Sequence, residues 1–286
     1  HGFFFLEGKN MFKYTFSKAM TIDSLLRDEW RLGKKIVHEL RMAKAITQDG
    51  TPIMWKNEYA PGDTIEISYP MPTSSYEPTK ECKVEIRYED EHCLIVSKPT
   101  GMQTHPNDEW DRDTCMNHVM AYVQAQGGTY AEHVHRLDQG TKGLLLVAKH
   151  PIAKSIFDRM IEEKTIVRTY AAEVQGNLRT DSGTINAPIG RDRHSSSRRI
   201  VSETGQRAVT HYEVVKRFKG TCVVHLVLET GRTHQIRVHM QHIGHPIVGD
   251  TMYGARETES GDYELHAIQL EFMHPFLNET IVVKDA

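Results

Sequence analysis

The chain has 286 residues, 39% of them hydrophobic, enough to bury one large core or one core with a small appendage. Its formal charge of -3 excludes a protein that holds nucleic acid by overall basicity, so any grip on phosphate must come from local clusters. No apolar run is long enough to span a bilayer, no basic and apolar leader opens the chain, and Cys82, Cys93, Cys115 and Cys222 form no paired motif; the expectation is a cytoplasmic protein without disulfides, zinc ribbon or membrane contact.

In chain order, the first ten residues precede Met11, a candidate start, and are set aside. Residues 12–16 alternate as a strand does. Thr21-Ile22-Asp23-Ser24 reads as a capped helix start, and Leu25, Leu26, Ile36, Val37 and Leu40 give two short helices their apolar faces. Their other faces are basic: Arg27, Arg31, Lys34, Lys35, Arg41 and Lys44 stand against Asp28, Glu29 and Glu39. Such charge runs are usually solvated faces, so this one gains weight only from the motifs of the larger domain. Ile46 opens a strand, Asp49-Gly50 and Pro61-Gly62-Asp63 are tight turns, and residues 64–68 alternate again. Pro70, Pro72, Ser74, Ser75 and Pro78 then break both periodicities, which places a linker at 71–82 between an 11–70 domain and an 83–286 domain.

In the larger domain, residues 84–88 and 93–97 read as a hairpin around Glu89-Asp90-Glu91-His92, and Met116, Val119, Met120 and Val123 share a helix face. Pro151 begins a helix with Ile152, Ile156 and Met160 on one stripe. Segments 165–174, 209–218 and 221–229 are β-branched strands, the last two joined at Lys219-Gly220, and a helix is expected over about 233–243. Strands outnumber helices, which predicts an α+β fold with an antiparallel or mixed sheet. A second basic cluster, Arg191, Arg193, Arg198 and Arg199, is opposed by Asp192 alone.

The most telling segment is His135-Arg136-Leu137-Asp138, running through Thr141 and Gly143 into Leu144-Leu145-Leu146-Val147. It puts a carboxylate and a guanidinium in a turn just ahead of a buried strand, where a side chain can be held still while facing a cleft. The stretch closely resembles the signature of the RluA-type RNA pseudouridine synthases, with Lys142 where that pattern has serine. Three further segments resemble the same family in the same order. They are Ser97-Lys98-Pro99-Thr100-Gly101 with His105-Pro106, Lys164 to Gly176 around Tyr170, and Gly231 to Met240 with the later His245-Pro246, Gly249-Asp250 and Tyr253-Gly254. The N-terminal segment resembles, in its pattern of helices and turns, the small alpha-L RNA-binding domain named after ribosomal small-subunit protein four.

The resemblance implies a pseudouridine-synthase-like mixed or antiparallel sheet domain that isomerises uridine in RNA, with 23S ribosomal RNA favoured over transfer RNA. It implies Asp138 as the catalytic carboxylate, Arg237 as its ion-pair partner (with Arg232 as the alternative) and Tyr170 as the aromatic face on the target base. Contacts to RNA are expected from His135, Arg136, Thr141, Arg232, His234 and Gln235, and in the small domain from Lys34, Lys35 and Arg41. The chemistry asks for no metal and no organic cofactor: the N1–C1′ bond breaks, the base turns, and C5 bonds to the same carbon. A carboxylate with a free pKa of about 3.9 is ionised at neutral pH and can serve as nucleophile or base there. The base has to leave its stack to reach such a pocket. A monomer is expected.

Taken singly, each of these residues has a plainer role: turn former, packing tyrosine, solvated arginine. Their shared order is what favours the catalytic reading. Two rivals differ in class. A zinc hydrolase would use His133 with His135, or His239, His242 and His245, but no His-Glu-x-x-His or cysteine set accompanies them. A non-catalytic RNA-binding protein would rely on the N-terminal helices alone.

Overall fold

The structure is a computed structural model that describes residues 11–285; the segment ahead of Met11 lies outside the described residues. The first strand, β1 (Met11–Thr15), buries Phe12 and Tyr14 and exposes Lys13 and Thr15, as its alternation implies. A short β2 (Met20–Thr21) leads into α1 (Ile22–Ser24), where the Thr21 hydroxyl accepts from the Ser24 N–H at 3.1 Å. The helix continues as a π turn over Leu25–Glu29. In α2 (Lys34–Met42), Val37 and Leu40 are buried while Lys34, Lys35 and Arg41 face solvent. Strands β3 (Ile46–Gln48) and β4 (Thr51–Pro52) meet at Asp49-Gly50, both at positive φ as a two-residue hairpin turn requires. With β5 (Glu58–Tyr59) paired to β2 and β6 (Thr64–Ser68), the unit closes as a four-stranded sheet in the order β1-β6-β3-β4.

Residues 71–82 form no regular element, yet they are tied to the larger unit. Ser74 donates to the Ala131 carbonyl at 2.7 Å and Tyr76 to Glu132 at 2.9 Å.

The larger unit runs β7 (Glu85–Glu89), β8 (Cys93–Lys98), α3 (Cys115–Ala125), β9 (Glu132–His133), β10 (Lys142–Ala148), α4 (Pro151–Glu162), β11 (Val167–Gln175) and β12 (Ser182–Asn186). It continues with β13 (Ile189–Asp192), β14 (Ser195–Val201), β15 (Val209–Arg217), β16 (Thr221–Leu228), α5 (Gln235–His242), β17 (Leu265–Met273) and β18 (Thr280–Lys284). Ten of these strands make one sheet in the order β12-β15-β16-β11-β17-β10-β8-β7, with β18 beside β17 and β9 beside β10. The β10–β17 junction is parallel and the other pairings in the sheet are antiparallel, so the fold is α+β with a mixed sheet.

The apolar runs of β8 and β10 are explained by burial on both faces. Leu144, Leu146, Cys93 and Ile95 join the core under α4, whereas Leu145, Val147, Leu94 and Val96 join the core under α3. The core under α4 continues into the N-terminal unit: Phe12 stacks on His150 with ring centres 4.8 Å apart, and Trp30 meets Phe276 at 5.1 Å.

Strand β17 was not anticipated, and the reason is physical. Its buried residues are Leu265 and Ala267, then Leu270 and Phe272, because the pairing with β11 skips Ile268 and shifts the alternation by one. The parallel junction itself needs a glycine. Gly143 has φ +110°, and a Cβ there would lie 2.3 Å from the Ala267 carbonyl oxygen. Gly143→Ala is therefore expected to lower stability by about 3 kcal/mol or more, measured by urea unfolding.

Candidate active site

Asp138 sits on the loop that feeds β10, and the loop is held from several directions. Its own turn closes with the Thr141 N–H donating to the Asp138 carbonyl at 3.0 Å. On the N-terminal side, the Leu137 N–H donates to Thr104 Oγ1 at 3.0 Å, and the Thr104 hydroxyl donates back to the Leu137 carbonyl at 2.8 Å. On the C-terminal side, Lys98 Nζ donates to the Gln139 carbonyl at 3.1 Å, and also to those of Pro99 at 2.9 Å and Met102 at 2.7 Å. Lys98 is fully buried at the end of β8, and burial brings its pKa down to about 8.

So held, Asp138 faces a cleft of about 570 Å³ whose lining includes Tyr170, His234, Arg237 and Leu265. Its side chain is 19% exposed, so it is open to the cleft while its backbone is held. Arg237 comes up from α5 with Nη1 at 4.0 Å from the Asp138 carboxylate. Its firmer partner is Asp250, reached by Nε at 2.7 Å and Nη2 at 2.8 Å. The guanidinium also lies 4.4 Å from the Tyr263 ring centre and 4.9 Å from that of Tyr253. Burial disfavours the Arg237 charge, but the Asp250 hydrogen bonds together with the charges of Tyr263, Asp250 and Asp138 outweigh it, so its pKa is raised.

Tyr170 is 5% exposed, and burial raises its pKa; Arg168 opposes that shift and Asp138 adds to it. Tyr263, whose hydroxyl lies 3.2 Å from that of Thr141, is pushed up to about 12 by burial and then by the Asp138 charge. Both phenols stay protonated at neutral pH.

The remaining sequence candidates divide. Arg136 is exposed at the cleft edge, and buried His135 lines the wall. Thr141 is buried against Tyr263, so it braces the Asp138 turn. His234 caps α5 in a left-handed conformation, φ 58°, with Nδ1 2.8 Å from the Tyr253 hydroxyl. Arg232 is exposed, and its Nε donates to the Arg207 carbonyl at 3.1 Å, which turns it along the rim and away from Asp138.

Gln235 is buried with its amide fully engaged. Its nitrogen donates to the Val209 carbonyl and Thr210 Oγ1, and its oxygen accepts from Thr230 and the Arg232 N–H. That leaves it a wall brace with nothing free for RNA. Lys34, Lys35 and Arg41 lie on α2, outside the residues lining this cleft, and Arg41 is engaged with Asp23 at 2.9 Å and with the Trp55 ring at 4.4 Å.

Three of the histidines weighed as zinc ligands are separately bonded. His239 contacts Thr210 Oγ1 and the Ala187 carbonyl, His245 the Gln175 carbonyl, and His133 the Tyr76 hydroxyl.

Sequence reasoning gave no role to Asp250, Tyr263, Thr104 or Lys98. For two of them a signal was present: Gly249-Asp250 in the family-like tail, and a lone lysine ending the apolar run Cys93-Leu94-Ile95-Val96-Ser97.

Residues 92–242 match the family described as RNA pseudouridylate synthase, and residues 14–65 match the RluD ribosomal pseudouridine synthase N-terminal domain. A Bacillus subtilis protein described as an uncharacterized RNA pseudouridine synthase, YhcT, is 39% identical over 264 residues, 91% of this chain and 87% of its own length. Ribosomal large subunit pseudouridine synthase D of Nitrosomonas europaea is 35% identical over 251 residues, covering 84% of this chain and 72% of that protein. Among solved structures, human RNA pseudouridylate synthase domain containing 1 superposes with a TM-score of 0.60 at 26% identity, over 73% of this chain and 86% of that one.

Lys98→Met would leave three carbonyls without a donor and is expected to cost about 3 kcal/mol or more in urea unfolding. The sign of its pH dependence comes from the lowered pKa. The unfolded chain holds the Lys98 proton up to 10.5 and the folded one only to about 8, so stability should rise across that interval. Comparing urea midpoints at intervals from neutral to alkaline pH in parent and Lys98→Met checks this; the rise should be missing from the variant.

Proposed function

The chain belongs to the RNA pseudouridylate synthase family, and from that premise we propose that it isomerises uridine in large-subunit ribosomal RNA, using Asp138 and no cofactor. It is an RNA pseudouridine synthase; the target and the residue roles are the proposed part. The observation that carries the assignment of Asp138 is its freedom. Of the three carboxylates in the cleft lining, Glu229 is taken up by Arg207, His211 and Lys164 at 2.9–3.3 Å, and Glu162 is carried on the last turn of α4. Asp138 has Arg237 near it at 4.0 Å and its own oxygens open to a ligand.

The geometry supports one division of labour. Asp138 supplies the charge at the ribose, where the N1–C1′ bond breaks and the C5–C1′ bond forms. Arg237, fixed by Asp250, keeps a positive charge beside that carboxylate through the cycle. Tyr170 offers an aromatic face and a neutral hydroxyl to the extruded base. As a protonated phenol it can donate a hydrogen bond but is no base by itself at neutral pH, so removal of the C5 proton has to pass to another acceptor. Large-subunit ribosomal RNA is supported by the name of the Nitrosomonas europaea relative, which spans both units of this chain. The N-terminal unit adds exposed Lys34 and Lys35 as phosphate contacts away from the chemistry.

Asp138→Asn should bind RNA as the parent does while pseudouridine formation falls by about a thousandfold or more. Pseudouridine mapping in ribosomal RNA from cells carrying either form reads the outcome, and the site lost identifies the target. Replacing Lys34 and Lys35 together by glutamine should make RNA binding less salt-sensitive, reducing the log–log slope by roughly 1.5. Filter binding over a salt series measures it, and an unchanged slope would remove the docking role.

A further inference from the structure

Two polar groups in the cleft wall have no partner inside the protein. Arg168, on β11 two residues before Tyr170, is 9% exposed; its buried Nε has no hydrogen-bond partner, and among the described residues no carboxylate comes within salt-bridge distance of its guanidinium. The other buried arginine of the cleft, Arg237, is gripped by Asp250. His135 is 7% exposed, and its Nε2 accepts from the Leu146 N–H at 3.2 Å, which puts the ring proton on Nδ1. That Nδ1–H is buried and likewise unpartnered. Burial first, and then the Arg168 charge, take the His135 pKa down to about 3, so the ring remains a neutral donor.

Arg168, His135 and Asp138 line the same cleft. A lysine so buried could shed its proton, but a guanidinium cannot, and its five N–H groups call for acceptors. Of the rim cations, Arg207 and Lys164 are already paired with Glu229, while Arg136 and Arg232 are exposed to solvent. The wall beside the guanidinium carries no side chain at Gly231, where a Cβ would sit 3.5 Å from Arg168 Nη1. An RNA strand brings one phosphodiester per nucleotide, and a forked planar donor suits that anion. Two residues along a strand is a distance of about 7 Å, so a ligand whose base lies on Tyr170 has its neighbouring linkage within reach of Arg168.

We propose that Arg168, together with the Nδ1–H of His135, is a buried receptor for the phosphodiester that flanks the uridine held in the cleft. The proposal rests on the reading that this cleft takes a uridine of RNA.

The test uses the full chain, with Arg168→Gln and Arg168→Lys, and a short oligouridylate as the probe. Arg168→Gln should weaken binding at low salt by about tenfold and lower the log–log salt slope by about 0.7, the value of one single-strand phosphate. Arg168→Lys should keep the slope, and the Tm of Arg168→Gln should not fall, since an uncompensated buried charge has been removed. Replacing the probe's linkages by methylphosphonates should erase the difference between parent and Arg168→Gln. An unchanged slope, a difference that survives the neutral backbone, a marked fall in Tm with binding lost in proportion, or no binding by the parent would each overturn the proposal. Pseudouridine formation, assayed separately, keeps the two readings apart. A parent with an Arg168-dependent slope but no isomerisation loses the enzymatic reading and keeps the phosphate site; isomerisation with a slope indifferent to Arg168 does the reverse.

Discussion

Arg237 is bound twice by Asp250 before it approaches Asp138. Nε and Nη2 are committed at 2.7 and 2.8 Å, Tyr253 and Tyr263 lie against the guanidinium, and the nitrogen left over, Nη1, is the one nearest Asp138. A buried pair of this kind contributes little net stability, because desolvating both charges offsets most of their attraction; losing one partner costs about 3–5 kcal/mol. What the pair supplies is placement. A cation that cannot swing or neutralise stands beside the Asp138 carboxylate, and the field there becomes a property of the folded protein. The turn carrying Asp250 comes close for a similar reason: Gly249 has φ +85°, and a Cβ there would lie 2.1 Å from the Asp262 carbonyl, next to Tyr263.

Asp138 is fixed by different means. Its own side chain is left free, and the backbone on either side is secured instead, by Thr104 at Leu137 and by Lys98 at Gln139. The strand it precedes is buried on both faces, so the loop is anchored to the stiffest part of the sheet. Position is thus set by groups that need not touch a substrate, and the carboxylate stays available to one that arrives. The two halves of the sheet meet through a single parallel junction, β10 beside β17, which brings Asp138 on the loop before β10 and Tyr170 on β11 to one cleft. The glycine at that junction is a requirement of backbone packing.

Those features that local pattern controls were legible in the sequence. The period-two alternation of β1, the β-branched run of β16, the stripe on α4, the glycine turns of the N-terminal unit and the buried run of β10 all arise from neighbouring residues, and each formed where the pattern placed it, within a residue or two. Asp138 was legible as well, since a motif surrounds it. What the sequence hides are pairings between distant positions. Lys98 to Gln139, Arg237 to Asp250 and Thr141 to Tyr263 join segments with no local reason to meet. Strands β12 to β14 are short and largely polar, so they carry no hydrophobic period, and β17 has one interrupted by its bulge. Gln235 shows the opposite error: a polar residue in a family-like motif suggests a ligand contact, yet its amide is spent holding the wall together.

The charge of the chain fits the same picture. Overall it is -3, while the cleft lining holds six basic residues, Arg136, Lys164, Arg168, Arg207, Arg232 and Arg237, against Asp138, Glu162 and Glu229. A polyanion approaching from solution responds to the concave surface more than to the sum, because low-dielectric walls focus the field there and salt screens charges more than about 10 Å away. Several of those cations are already paired, Lys164 and Arg207 by Glu229 and Arg237 by Asp250, so their charge is largely cancelled locally. The attraction that remains is concentrated in the few that are not. A surface built this way concentrates its attraction for a polyanion at the cleft in spite of the negative total, which serves an enzyme that has to find one nucleotide among many better than general basicity would.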